Sequence, residues 1–232
     1  MNKIPASTLD WQRVVAVSFP IMMGYIPLGM AFGYLLQTHG ASWWLAPVMS
    51  FFVFAGAAQF LAIPMLSANL GISEIIFATF VINLRHVFYG LSLLDRLPDG
   101  KFKRFYLIFS LTDENYSVLT TLKKSESEQF QLAVTALNHF YWVAGAFFGA
   151  LIGNMIPSRI EGVEFSLTAL FAVLAVEQAY SVKSAMPFAV AVCSYAVAAF
   201  LFPSQSLFIA IMLSAALGLV FIRTMGWQHQ SN

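Results

Sequence analysis

"VVAVSFPIMMGYIPLGMAFGYLL" occupies residues 14–36 and contains no Asp, Glu, Lys or Arg. The charge-free run continues to residue 73, and two more follow at 129–158 and 184–222. A helix crosses the hydrocarbon core of a bilayer with about 20 apolar residues. These runs are too long and too many for one soluble core. Of the 232 residues, 59% are hydrophobic and 10% charged, where a soluble domain carries about 25% charge. The fold class is therefore an all-α polytopic membrane protein, with the lipid bilayer as its solvent.

A net charge of +1 gives no basis for nucleic-acid binding. The lone Cys193 cannot form an internal disulfide and reads as a small packing residue in an apolar run. Lys3 and Arg13 precede the first apolar run in the manner of a signal peptide. That run extends well beyond an h-region and further spans follow, so it reads as retained.

Hydrophobic segments run at about 14–37, 43–70, 73–94, 105–122, 130–153, 163–180, 185–201 and 205–222, giving seven or eight helical segments. The loops are short, so residues 1–232 form a single membrane domain. Several segments carry helix breakers. The first has Pro20, Gly24, Pro27, Gly29 and Gly33; the second has Gly56, Gln59 and Pro64. Backbone groups freed at such breaks need partners in protein or in a wet cavity.

An internal echo connects two of the segments. "YIPLGMAFGYLL" (25–36) aligns without gaps on "YWVAGAFFGALI" (141–152), placing Gly29 on Gly145 and Gly33 on Gly149. Gln59 has a counterpart in Gln178. The pattern fits two copies of one unit, 10–95 and 130–222, linked by 96–129, as in secondary transporters with interrupted helices. The alternative is a chance match of small-residue stripes, which are common in membrane helices and serve close packing.

The loop "DRLPDGKFKR" (95–104) is basic, so the positive-inside rule places it in the cytoplasm. Arg13 places the N-terminus there too, and three full spans between them would conflict. The conflict disappears if 43–70 is re-entrant, turning near "AGAAQF". Segments 163–180 and 185–201 then do the same from the opposite side, 105–122 is the linking span, and the halves are inverted. A plain count of seven or eight spans is the alternative.

Four polar groupings interrupt the apolar segments. A charge at the bilayer centre costs roughly 2.5–3.5 kcal/mol on insertion scales, so such residues need a structural or functional reason. Asn83, Arg85 and His86 lie midway along 73–94. Arg85 is either an anchor for a carboxylate or the partner of an internal acid. Asp113 and Glu114 lie in "TDENY", halfway along 105–122, unless that stretch is an interfacial helix with its acids in water. Being adjacent, they face different sides of a helix and need not share a partner. Asn138 and His139 follow in the fifth segment, as packing groups or a proton relay. Gln178 stands beside Glu177, whose bland reading is a loop pair with Lys183. Gln59 can line a cavity or satisfy a broken helix. No zinc, nucleophile-elbow, CxxC or phosphate-loop motif is present, which argues against an enzyme, a cofactor or a metal.

"PIMMGYIPLGMAFG", "SFFVFAGAAQF", "NLRHVFYGLSL", "LTDENY" and "NHFYWVAGAFFGALIG", in this order, resemble the AzlC-type proteins, the large subunits of bacterial branched-chain amino acid exporters. The resemblance spans about residues 10 to 220. It implies export of L-valine and related apolar amino acids across the cytoplasmic (inner) membrane, driven by the proton motive force, with a small AzlD-type membrane subunit. On that basis Gln59, Asn83, Arg85, His86, Asp113, Glu114, Asn138, His139 and Gln178 are expected along a substrate and proton pathway. Asp113 is narrowly preferred over Glu114 as the proton carrier. A polar-lined channel for small solutes is the alternative function.

Overall fold

The computed structural model describes residues 9–218, apart from 69, 124–125, 157–159, 164, 183, 204–205 and 207–208; several side chains of 167–182, Glu177 and Gln178 among them, lie outside the described set. Among the described residues every regular element is helical. In chain order these are α1 (Trp11–Thr38), α2 (Leu45–Phe52), α3 (Gly56–Ser67), α4 (Ile72–Asn83), α5 (Arg85–Ser92), α6 (Lys101–Phe109), α7 (Asp113–Thr121), α8 (Glu128–Met155), α9 (Phe165–Val182), α10 (Met186–Leu201) and α11 (Ile209–Gly218). Among the described residues, only α1 and α8 are each long and apolar enough to cross a membrane, with α4 and α5 together making a third candidate.

Large apolar side chains lie on the surface, and several polar ones lie inside with the apolar core. Phe88, Phe102, Phe105, Phe140 and Phe200 are exposed, whereas Ser50, Gln59, Asn115, Asn138 and His139 are buried. Such apolar surface is stable only against lipid or another apolar partner.

The chain divides into two compact units, Met1–Ser67 with Asn83–Leu167, and Ala68–Ile82 with Thr168–Asn232. The first is built on α1 and α8. Asp10 caps α1 by accepting the N–H of Arg13 (3.2 Å), and Ser127 caps α8 by accepting that of Phe130 (3.2 Å). Both helices bury small residues along one stripe. A Cβ built on Gly29 would lie 2.9 Å from the Trp142 carbonyl oxygen, and one on Gly145 would lie 2.7 Å from that of Ile26. At Gly33 and Gly149 it would overlap the carbonyl oxygens of Ala146 and Met30. Backbone therefore touches backbone along the whole stripe.

These contacts fix direction. Arg13 lies over the Phe130 ring, Gly29 meets Gly145, and Gly153 meets Tyr34 and Gln37. Numbers rise together, so α1 and α8 are parallel, in the register of the 25–36/141–152 alignment. Helices related by an inverted repeat would run antiparallel. The inverted arrangement expected from the sequence does not hold for this pair.

Two broken hairpins pack on the α1–α8 pair from opposite ends. One is α2–α3. Trp43 contacts Phe147 near the far end of α8; the chain then reaches His139 through Ser50 and Phe51, turns at Phe54, and climbs back to place Phe60 against Phe32. Its turn puts Phe54 at φ 40°, a conformation unusual for a bulky residue. The other is α6–α7. It starts where Lys103 meets Glu128 (3.5 Å), reaches His139 through Tyr106, breaks at Ser110–Thr112, and returns to pack Val118 and Leu122 near Val14 and Phe130. The tips meet, with Phe54 and Phe109 rings 6.5 Å apart.

This arrangement corrects two expectations. Residues 105–122 are not a linking span: both ends of α6–α7 lie at the N-terminal end of α8, where Arg96 also donates to the carbonyls of Leu119 (2.6 Å) and Leu122 (3.0 Å). Nor is 73–94 straight, because the helix is interrupted at Leu84. The basic loop, the α1 start and the α8 start share one end, joined by the Arg13–Glu126 pair at 2.6 Å. Segment 43–70 turns at 53–55, close to the expected position, as a hairpin.

In the second unit, Glu74 caps the start of α4 by accepting the Gly71 N–H (2.8 Å). In α10, Ser194 and Ala198 are buried four residues apart, and Pro187 occupies the first turn, where its missing N–H costs nothing.

Candidate functional site

Two helix interruptions, at Phe54 and Ser110–Thr112, meet at the middle of the α1–α8 pair, and Arg85, just after the break at Leu84, reaches the start of α7 there. Thr112 starts α7 by accepting the Asn115 N–H (3.2 Å). Asp113 and Glu114 then fall in the first turn, where free N–H groups favour negative charge. Their carboxylates diverge. Asp113 Oδ2 pairs with Arg85 Nη2 at 2.9 Å, and Oδ1 accepts the Tyr89 hydroxyl at 2.6 Å. Glu114 turns towards α1 and accepts the Tyr25 hydroxyl at 2.7 Å. Tyr25 also contacts Thr112 Oγ1 at 2.5 Å. No ion pair on Glu114 exists among the described residues.

Behind the acids runs an amide chain. Asn138 donates to Asn115 Oδ1 (2.7 Å), and Asn115 donates to the Ser110 carbonyl (2.7 Å), satisfying the broken end of α6. A second chain holds the other tip. Trp142 Nε1 donates to Gln59 Oε1 (2.8 Å), and Gln59 donates to Ser50 Oγ (3.1 Å). His139 spans the two hairpins: Nε2 lies 3.3 Å from the Ser50 carbonyl and Nδ1 lies 3.2 Å from the Tyr106 hydroxyl, while the ring stacks on Phe54.

Among the described residues, two polar atoms in this region are buried without a partner, the donor Arg85 Nε and the acceptor Asn138 Oδ1. An aromatic cavity of about 740 Å³ opens at His139, walled also by Phe51, Phe105, Tyr106, Phe109 and Phe140.

The structure thus brings together Gln59, Arg85, Asp113, Glu114, Asn138 and His139. His86 lies within electrostatic reach of Arg85 and both acids, and its Nδ1 contacts the Asn83 carbonyl at 3.0 Å. Asn83 itself ends α4. The side chain of Gln178 lies outside the described residues. Tyr25, Tyr89, Trp142 and Ser50 belong to the same networks and were not on the sequence-derived pathway. Tyr25 had a signal, because it stands one turn before Gly29 on the stripe that faces α8.

Gln59 offers a direct check. Gln59→Leu keeps the volume but leaves the Trp142 N–H and the Ser50 hydroxyl without their partner. Each buried orphan costs about 1–3 kcal/mol. Thermal unfolding in detergent should fall clearly below wild type, and an unchanged midpoint would show that the chain does not hold this tip.

The AzlC protein family model matches residues 20–156, which include both tips and most of the α1–α8 pair. The chain belongs to the AzlC family. Among the relatives of this AzlC chain, the branched-chain amino acid transport protein AzlC of Bacillus subtilis is 36% identical over 181 residues, covering 77% of this chain and 71% of that protein. The inner membrane protein YgaZ of Escherichia coli is 31% identical over 164 residues, covering 66% of this chain and 67% of that protein. An uncharacterized membrane protein of Helicobacter pylori is 38% identical over 176 residues, covering 73% and 77% respectively. No solved structure matches.

Proposed function

We propose that this AzlC chain exports branched-chain amino acids, L-valine among them, across the cytoplasmic membrane, driven by the proton gradient and acting with a small AzlD-type membrane subunit. The observation that carries the reading is the mixed charge at the helix breaks. A zwitterion needs a donor for its carboxylate and an acceptor for its ammonium group. Among the described residues, Arg85 Nε and Asn138 Oδ1 are a buried donor and a buried acceptor without partners, the one on a residue paired with Asp113 and the other on a residue bonded to Asn115, both of α7. The aromatic cavity suits an aliphatic tail. The relationship to a protein named for branched-chain amino acid transport supports the substrate class.

An apolar pocket distinguishes one methylene by only about 1–3 kcal/mol, so valine, leucine, isoleucine and methionine should overlap as substrates. The decisive experiment is flux of labelled valine in proteoliposomes, with and without an imposed pH gradient and with and without the co-expressed partner. Gradient-driven accumulation that requires the partner is expected. Flux that only equilibrates, whatever the gradient, would point to a channel and end the transporter reading.

A further inference from the structure

We propose that Glu114 is the single carboxylate that a proton and the ammonium group of the substrate occupy in turn, and that Tyr25 couples its state to α1. This rests on the transport reading above. Asp113 is already neutralised by Arg85 and held by Tyr89. Glu114 has a hydroxyl partner and no described cation. The preference between the two acids therefore moves from Asp113 to Glu114.

The charge inventory sets the logic. Arg85 and Asp113 cancel each other and the substrate zwitterion adds no net charge, so Glu114 is the one acid of the three groups with no described cation, and either a proton or the substrate's ammonium group can meet it. With neither bound, Glu114 is an unpaired charge in a poorly solvated site, and with the proton already bound the ammonium group would enter without its anion; each is disfavoured. The exchange is Glu114–COOH + ⁺H₃N–R → Glu114–COO⁻···⁺H₃N–R + H⁺. One proton leaves for each amino acid bound, which is the stoichiometry of an antiporter. Asn138 Oδ1, buried and unpaired behind the first turn of α7, is a further acceptor for an ammonium N–H.

Tyr25 has one O–H and two neighbouring acceptors. When Glu114 is ionised, Thr112 donates to Tyr25 and Tyr25 donates to the carboxylate, while the Asn115 N–H occupies Thr112 from the other side. When Glu114 is protonated, the direction reverses and Tyr25 donates to Thr112. From α5, His86 lies within electrostatic reach of Glu114, and Arg85 is paired with the adjacent Asp113 of α7. From α8, Asn138 approaches and does not titrate. His139 is engaged with Ser50 and Tyr106 instead.

The test measures valine affinity against pH, and proton release in weak buffer, for the full-length chain purified in detergent. In wild type, affinity should rise about tenfold per pH unit until Glu114 is fully ionised and then level off, by linkage. About one proton should leave per valine over the rising part. Glu114→Gln should bind more weakly, with no pH dependence and no release, and Glu114→Asp should restore both. Tyr25→Phe removes the hydroxyl that joins Glu114 to α1, so valine flux should fall while the proton released per valine stays unchanged. Valine binding with proton release intact in Glu114→Gln, or release lost only in His86→Gln, would overturn the assignment and leave transport standing. Absence of any valine binding or flux in wild type would overturn the transport reading and the assignment together.

Discussion

Gly149→Leu should leave almost no folded protein. Even a methyl group at Gly149 would overlap the Met30 carbonyl, so α1 and α8 would have to separate along their shared stripe. Overpacking an ordinary core costs about 1–3 kcal/mol, because side chains can yield. Here the obstacle is backbone on both sides, and the expected loss exceeds that range. Gly33→Leu should behave alike, since its methyl would meet the Ala146 carbonyl. Gly24→Ala is the control. It stands on the same helix with nothing within 4 Å of a new Cβ, and alanine is the better helix former. Detergent size-exclusion yield and thermal unfolding check the series. Normal yield for both leucine variants would mean that α1 and α8 do not pack this way, and the parallel register would fall with it.

The glycine stripe was legible because close packing leaves a direct trace in sequence, a small residue at every fourth position. Its alignment offset was also the packing register, though the sequence could not say whether the paired helices run together or opposed. The break in 43–70 was legible only in part: Gly56 opens α3 just after the turn at 53–55, whereas Gln59 and Pro64 lie inside that helix. The breaks at Leu84 and Ser110–Thr112 carry neither glycine nor proline. At the second, however, a signal was present. Thr112 followed by two acids is a helix start, with a capping hydroxyl and negative charge at the free N–H groups. Inside an apolar run it reads as a polar interruption of one span. At Leu84 the compensation comes from Arg85, whose acid partner lies on a different hairpin. No local pattern announces a tertiary contact of that kind.

The direction of α6–α7 was hidden for the same reason. The basic loop and the α8 start were correctly separate in sequence, and only Arg96 on the Leu119 and Leu122 carbonyls, with Glu128 near Lys103, folds them to one end. That also removes the tension with the positive-inside rule: Arg13 and the cations of 96–104 share a side while 43–70 turns back within the bundle. Gln59 and His139 were legible as residues out of place in oil. Their actual duty, pinning the tips of opposed hairpins, depends on partners far away in the chain.

Arg85→Gln and Asp113→Asn should each abolish transport, and the pair of substitutions should separate folding from function. Arg85 and Asp113 lie 2.9 Å apart with side chains 22% exposed. Removing one member of a fully buried pair costs about 3–5 kcal/mol, because the other charge is stranded; with this residual exposure about 2–3 kcal/mol is the fair expectation. Each single variant should therefore lose folded yield. The double neutral variant strands no charge and should recover most of that yield. It should not recover valine flux, since Arg85 also supplies the unpaired Nε, and loss of a charge-assisted hydrogen bond worth about 3 kcal/mol corresponds to roughly a hundredfold. Arg85→Lys sharpens the distinction. Its ammonium can still reach Asp113 and support folding, but it lacks the second, differently directed donor of the guanidinium. Well-folded Arg85→Lys with flux near that of the double variant would place Arg85 on the substrate carboxylate. Wild-type flux in the double variant would make the ion pair a brace between α5 and α7 and nothing more, and the carboxylate would then have to be held by the free N–H groups where the broken helices begin.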